Sequence, residues 1–276
     1  MNSRKNAIAG VESPTPPSVS QTKLWQWPNV LAIDAAMIAV IWQSIFAQSI
    51  DFTLTIAAQI VLGLSVWLTY MADRLFDVQQ RKPEQLLSLR HRFAAKYRIV
   101  LWRIWSVALI TNIALAFTML EREQLMHGFY LLAACLTYTA LNQKLSKRFF
   151  PKEVCVAMIF AGGVLVFLPA SSLWPTAGSL ALLCLMNCLM IGRKENTVDS
   201  AMEVRSLSRN LHPSVIGVVA LCTFISLLAV PQNLLLSLVI PLMALNCLSI
   251  FHKTLSSENY RVLADGALLL GFLVLF

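Results

Sequence analysis

The sequence predicts an all-α integral membrane protein in which nine transmembrane helices form one domain. Two observations lead to this fold class. Hydrophobic residues make up 57% of the chain and charged residues only 13%, a balance that is unusual for soluble domains. The apolar residues also fall into blocks of about 18–22, the length that a helix needs to cross roughly 30 Å of hydrocarbon.

The apolar blocks are joined by short polar connections, so a single membrane domain over residues 26–276 is expected. Residues 1–25 are polar and rich in proline and serine, and they are predicted to form a disordered cytoplasmic tail. The nine predicted spans are 29–48, 53–72, 100–120, 124–142, 153–171, 174–192, 213–231, 233–251 and 260–276.

The positions of the basic residues predict the orientation of these spans. If the tail is cytoplasmic, every lysine and arginine except Arg122 lies in a cytoplasmic segment or a few residues from one, in agreement with the positive-inside rule. The protein is therefore expected in the cell (plasma) membrane, with its N-terminus and site-bearing loops in the cytoplasm. Because the basic residues are divided among separate loops without interleaved aromatic side chains, no nucleic-acid partner is expected.

A pair of carboxylates follows the second span. Asp73 and Asp77 are four residues apart, so both side chains lie on one face of a continuing helix. Two carboxylates this close repel each other unless a cation lies between them, and Mg²⁺ is commonly bound by one or two carboxylates completed by phosphate oxygens. The alternative interpretation is a solvated helix end, in which the two carboxylates pair with Arg74 and Arg81.

A second acidic pair, Glu195 and Asp199, has the same spacing and follows the sixth span on the same side of the membrane. Together the two pairs could hold Mg²⁺ around a diphosphate, and all four carboxylates are predicted to be catalytic metal ligands. Lysine and arginine on this side could bind the phosphate oxygens, although basic residues are expected in cytoplasmic loops in any case. The candidate diphosphate-binding residues are Arg74, Lys147, Arg148, Arg193 and Lys194.

Several polar residues within or beside the spans are further candidates. Tyr138, Asn142 and Asn187 could line an acceptor pocket, and an interhelical hydrogen bond is the alternative for Asn187. Asp34 and Asp265 are ionisable residues inside predicted spans, which commonly have functional roles. Both lie near the cytoplasmic end of their spans, so each could instead pair with an arginine of a cytoplasmic loop.

Three short segments resemble the UbiA superfamily of intramembrane prenyltransferases. "ADRLFD" at 72–77 is similar to the first motif of that family, N-x-x-x-D-x-x-x-D, with Thr69 in the place of the asparagine. "ENTVD" at 195–199 is similar to the second motif, D-x-x-x-D, with Glu195 in the place of its first aspartate. "KRFFP" at 147–151 is similar to the basic segment of the fourth cytoplasmic loop.

The resemblance implies that the nine transmembrane helices form a bundle around a central cavity, which opens to the membrane lipid and binds an isoprenyl diphosphate with Mg²⁺. It also implies transfer of the prenyl group to a lipophilic, typically aromatic, acceptor. Mg²⁺, lysine and arginine would stabilise the negative charge that develops on the departing diphosphate. A CDP-alcohol phosphotransferase is disfavoured because its D-x-x-D-G-x-x-A-R pattern is absent from the sequence. The remaining alternative, favoured by Thr69 and Glu195, is a non-catalytic or transport protein on a degenerate prenyltransferase scaffold.

Overall fold

The computed structural model describes residues 19–145, 151–169, 173–202, 207–212 and 214–275, and this part of the chain is helical with no β-strand. The all-α class is therefore confirmed. Short 3₁₀ helices at Val19–Gln21 and Leu24–Gln26 precede the first α-helix. The α-helices are α1 (Trp27–Val30), α2 (Ile33–Ser49), α3 (Ile56–Gln80), α4 (Leu89–Lys96), α5 (Arg98–Met119), α6 (Arg122–Leu145), α7 (Lys152–Leu165), α8 (Trp174–Lys194), α9 (Asn196–Ala201), α10 (Leu207–Asn210), α11 (Ser214–Ser226), α12 (Gln232–Ile250) and α13 (Ser257–Leu269).

Four of these helices, α3, α5, α8 and α12, are long and apolar enough to cross a membrane, and a fifth span results if the bent pair Leu24–Val30 and Ile33–Ser49 counts as one. The chain is therefore compatible with a membrane protein. A helix also lies in each of the other predicted blocks, but α7, α11 and α13 are only 13 or 14 residues long. α6 is long enough, but its polar ends lower its mean hydropathy, and it is not among the candidate spans. The count of nine spans thus remains a prediction.

The burial of the candidate spans separates an inner from an outer layer. Only 11% of the most apolar window of α5 is buried inside the bundle, against 61% for α8. α8 packs against α7, α11, α12 and α13 and lies at the centre of the main core. The outer surface of α5 exposes large side chains such as Ile104, Val107 and Ile110, an apolar surface that lipid would cover.

A sharp break between α1 and α2 brings together two polar side chains of the site. The two helical segments meet at 79°, and Ala32 adopts a left-handed conformation with φ of 58° at the break. This conformation is unfavourable for a residue with a side chain. As a result, the Asn29 and Asp34 side chains, one on each side of the break, are joined by a hydrogen bond of 2.6 Å.

Side chains of α3 satisfy the carbonyl groups at this break. A guanidinium nitrogen of Arg74 donates to the Val30 carbonyl at 2.8 Å, and the Trp67 indole donates to the Leu31 carbonyl at 2.9 Å. In a membrane interior an unpaired carbonyl would cost several kcal/mol. The break is therefore a stabilised element of the fold, held by α3.

The backbone conformation of Ala32 predicts an unusual order of tolerance to substitution. Ala32→Gly should change the free energy of unfolding by less than about 1 kcal/mol, because glycine adopts positive φ without strain. Ala32→Val should cost about 3 kcal/mol or more, because a β-branched side chain is strained there and must enter a packed site. Unfolding of the purified protein in detergent would measure both changes.

Ala39 provides the matched control for these two variants. It is as buried as Ala32 but lies inside α2, so Ala39→Gly should cost about 1 kcal/mol from helix propensity alone. If Ala32→Gly proved more destabilising than Ala39→Gly, positive φ would not explain the break.

Candidate functional site

The first acidic pair lies at the C-terminal end of α3. Asp73 is exposed, and the Asp77 side chain is 29% exposed. Arg74, between them in sequence, points the other way and is buried against the Val30 carbonyl. Of these three predicted site residues, the two carboxylates therefore face outward from the bundle, while Arg74 supports the α1–α2 break.

Two basic side chains lie between the first and second acidic segments. Lys152 Nζ, at the start of α7, lies 3.7 Å from an Asp199 carboxylate oxygen, and its charge also acts on Asp73 and Asp77. The charge of Arg90, on α4, acts on the same three carboxylates. The structure thus brings Asp73, Asp77 and Asp199 around a shared pair of cations, and we call these five residues the outer cluster.

Glu195 contacts this cluster through Arg90 and is itself buried in the bundle interior. It is 3% exposed, and its Oε2 accepts a hydrogen bond of 2.9 Å from Arg90. Its Oε1 accepts from the guanidinium of Arg261, on α13. Both oxygens of this predicted metal ligand are thus occupied by guanidinium groups.

Arg261 connects Glu195 to two further segments. It is 1% exposed, it donates to the Asn29 side-chain oxygen at 2.7 Å, and it forms an ion pair with Glu258. Glu258 in turn accepts from the Leu89 backbone N–H at the start of α4. These contacts join α1, α4, α8 and α13. Sequence reasoning missed Arg261 because two of its partners, Asn29 and Glu195, are distant along the chain.

Electrostatics favour the ionised form of Glu195. Burial alone would raise the pKa of its carboxyl group, but the positive charges of Arg261 and Arg90 outweigh burial and lower this pKa to about 2. In the same way, Glu195 raises the pKa of the Arg90 guanidinium above its ordinary value although burial opposes this. The pair is thus fully charged at neutral pH.

His91 lies beside the outer cluster but adds no positive charge to it. Burial of the ring, with the positive charges of Arg90 and Arg74, lowers the pKa of His91 well below its ordinary value. The ring is therefore neutral at pH 7. Its Nδ1 shares a hydrogen bond of 2.7 Å with the Ser88 hydroxyl. Its Nε2 lies 3.6 Å from an Asp77 oxygen, but this contact is not an ion pair because the ring is neutral.

Several of the other predicted residues lie away from the outer cluster. Lys194 Nζ donates to the His252 carbonyl at 2.6 Å, between α12 and α13, and the charge of Arg193 acts on His252 as well. Asn142 is half-buried on α6. Tyr138, also half-buried on α6, is instead close to the cluster, because its hydroxyl group lies within electrostatic range of Asp73. Lys147 and Arg148 fall outside the described residues.

A small cavity of about 60 Å³ lies inside the bundle, behind Arg74 and Arg90. Asn187 lines it and donates to Asp265 at 2.9 Å across the α8–α13 contact, so the interhelical hydrogen bond expected of Asn187 is present. Asp34 and Asp265 could have paired with an arginine of a cytoplasmic loop. In the structure both carboxylates instead accept a hydrogen bond from the side-chain amide of Asn29. The polar residues around the cavity are Asn29, Asp34, Tyr70, Arg74, Arg90, Asn187 and Asp265.

The donor set of the outer cluster suits a Mg²⁺ ion that arrives with its ligand. Among the described residues, no group of three or more His, Cys, Asp or Glu side chains is placed to hold a metal ion. Asp73 and Asp77 still provide hard oxygen donors on one helix face. Because Mg²⁺ commonly takes one or two carboxylates and completes its shell with water and phosphate oxygens, the residues fit a substrate-borne ion rather than a preformed all-protein site.

Comparisons of the chain with protein-family models, with curated proteins and with solved structures find no match. The functional argument therefore depends on the geometry and chemistry of the residues described above.

The burial of Glu195 between two arginines predicts a large effect of its neutralisation. Glu195→Gln should lower the free energy of unfolding by about 3–5 kcal/mol, because it leaves Arg261 and Arg90 without their counter-charge. Since the pKa of Glu195 is lower in the folded state than in the unfolded state, its contribution is fully present above about pH 4.5 and is lost toward pH 2. Unfolding in detergent at pH 7 and at pH 3 would measure both effects.

Glu84→Gln is the control for this experiment. Glu84 is exposed in a 3₁₀ helix before α4, so its neutralisation should change stability by less than about 0.5 kcal/mol. Equal and small effects of the two substitutions at pH 7 would show that the Glu195 ion pairs do not stabilise the fold.

Proposed function

We propose that the protein is a Mg²⁺-dependent prenyltransferase, which transfers the prenyl group of an isoprenyl diphosphate to a lipophilic aromatic acceptor in the membrane. The outer cluster is the observation that carries this proposal. Three carboxylates from α3 and α9 surround the charges of Lys152 and Arg90. A diphosphate accompanied by Mg²⁺ has the complementary chemistry, because its oxygens suit the basic side chains and its metal suits the carboxylates.

Each residue of the cluster has a distinct role in this proposal. Asp73 and Asp77 hold the metal, which when bound supplies charge stabilisation for the departing diphosphate. Lys152 and Arg90 bind the phosphate oxygens. Asp199 positions Lys152, and Glu195 acts as a positioning residue for Arg90 rather than as a metal ligand.

The reaction would break the allylic C–O bond, with its electron pair going to the diphosphate. A ring carbon of the acceptor would then form the new C–C bond, and transfer of the proton from that carbon to the released diphosphate would restore aromaticity. Lys147 and Arg148 stay candidate phosphate ligands, since they precede Lys152 in the same connection. Lys194 is not retained, because its ammonium group is bound to the His252 carbonyl.

The second candidate function is a non-catalytic binding or transport protein on this scaffold. The engagement of Glu195 by Arg261 and Arg90 favours it, since one of the four predicted metal ligands is used for structure. Such a protein would bind the diphosphate at the outer cluster without forming a product.

The proposed function predicts a measurable transfer reaction. Purified protein in lipid nanodiscs, with Mg²⁺, labelled prenyl diphosphates of several lengths and a panel of aromatic acceptors, should form prenylated product. Chelation of Mg²⁺ should abolish it, and Asp73→Asn or Asp77→Asn should reduce the rate by at least about 100-fold, the usual scale for losing a group that stabilises developing charge.

Asp51→Asn is the control for loss of one acidic charge, since Asp51 is exposed in the α2–α3 connection. Its transfer rate should equal that of the unmodified protein. Diphosphate binding that depends on Asp73 but gives no product with any acceptor would favour the non-catalytic alternative. Transfer that survives both a chelator and the Asp73 and Asp77 substitutions would contradict the proposed site.

A further inference from the structure

Asp34 and Asp265 form a further pair of carboxylates, which lies in the small cavity and not among the carboxylates of the outer cluster. The side-chain NH₂ group of Asn29 donates to Asp34 at 2.6 Å and to Asp265 at 2.9 Å. The two carboxylates therefore converge on a single nitrogen. Because like charges repel strongly where the dielectric constant is low, this arrangement calls for a positive charge nearby.

The Asn29 amide cannot supply that charge, and its orientation is fixed. Its oxygen accepts a hydrogen bond of 2.7 Å from Arg261, so its NH₂ group must face the two carboxylates. The amide is neutral, and it holds Asp34 and Asp265 at one point without neutralising them. Arg261 itself is directed toward Glu195 and Glu258.

The charges of the connected network do not balance. Arg74 and Arg90 line the cavity together with the two aspartates, and Arg261 joins them through Asn29 and Glu195. In this network the four carboxylates outnumber the three guanidinium groups, and Arg74 and Arg90 are also within electrostatic range of Asp73 in the outer cluster. The carboxylates are those of Asp34, Glu195, Glu258 and Asp265.

Asn187 gives an independent indication of a ligand in the cavity. It is 5% exposed, and its NH₂ group donates to Asp265. Its side-chain oxygen is buried and has no hydrogen-bond partner among the described residues. An unpartnered buried acceptor costs about 1–3 kcal/mol, and it would be satisfied by a ligand that is positively charged or donates a hydrogen bond.

We propose that the cavity binds one Na⁺ ion between Asp34, Asp265 and the side-chain oxygen of Asn187. These are hard oxygen ligands, which suit a hard cation. The excess of carboxylates over guanidinium groups in the network favours a bound cation. The volume of about 60 Å³ accommodates a small ion with one water, given about 30 Å³ for each water. This site is distinct from the outer cluster, and its occupancy requires neither Mg²⁺ nor a diphosphate.

Radioactive Na⁺ binding and thermal unfolding of the purified full chain would test the site. Both would be measured at pH 8 without Mg²⁺, with NaCl replaced by choline chloride at constant ionic strength. Saturable binding of one Na⁺ per chain is expected, together with a melting temperature that rises with Na⁺. Asp265→Asn and Asp34→Asn should weaken Na⁺ binding at least tenfold, and Asn187→Ala should weaken it while both carboxylates remain.

Asp51→Asn is again the matched control and should bind Na⁺ as the unmodified protein does. If an aspartate variant fails to fold, Asn187→Ala decides the question. Absence of saturable binding, unchanged affinity in Asn187→Ala and Asp265→Asn, or an equal thermal response to choline would each overturn the proposal. Stability that depends on pH but not on Na⁺ would also overturn it, because a proton would then supply the missing charge.

Discussion

The guanidinium of Arg261 is the group on which the rest of the candidate site depends. Its charge is buried, and removing such a charge from water is costly unless every hydrogen bond is satisfied. Glu195, Glu258 and Asn29 satisfy it from three segments of the chain. Through Glu195 it fixes Arg90, and through Asn29 it fixes the amide that faces the two aspartates of the cavity, Asp34 and Asp265. One buried side chain thus sets the geometry on both sides of the network.

The network divides two regions with different electrostatic properties. Outside it, Asp73, Asp77 and Asp199 remain accessible at the end of the bundle, around Lys152, an arrangement suited to a charged ligand that binds and leaves. Inside it, the cavity is small and enclosed by helices. Arg90 belongs to both regions, because it lines the cavity and also lies within electrostatic range of the outer carboxylates. Glu195 holds this arginine through an ion pair.

The sequence predicted the helical elements well because the length of apolar runs is a local property. It also placed the two acidic pairs just after the apolar parts of α3 and α8. The common face expected from four-residue spacing does not hold for the second pair, because α8 ends at Glu195 and Asp199 lies on α9. It did not reveal the break at Ala32, where no glycine marks the positive φ, or the partner of Glu195. A carboxylate near basic residues can bind a metal or an arginine, and only the approach of α13 selects Arg261.

A double-mutant cycle between Glu195 and Arg261 tests the central claim most directly. Arg261→Met, Glu195→Gln and the double variant would be unfolded in detergent under identical conditions. If the ion pair organises the site, the double variant should cost less than the sum of the two single variants, with a coupling energy of roughly 2–3 kcal/mol. If the costs of the two single variants add up to the cost of the double variant to within about 0.5 kcal/mol, the claim is contradicted.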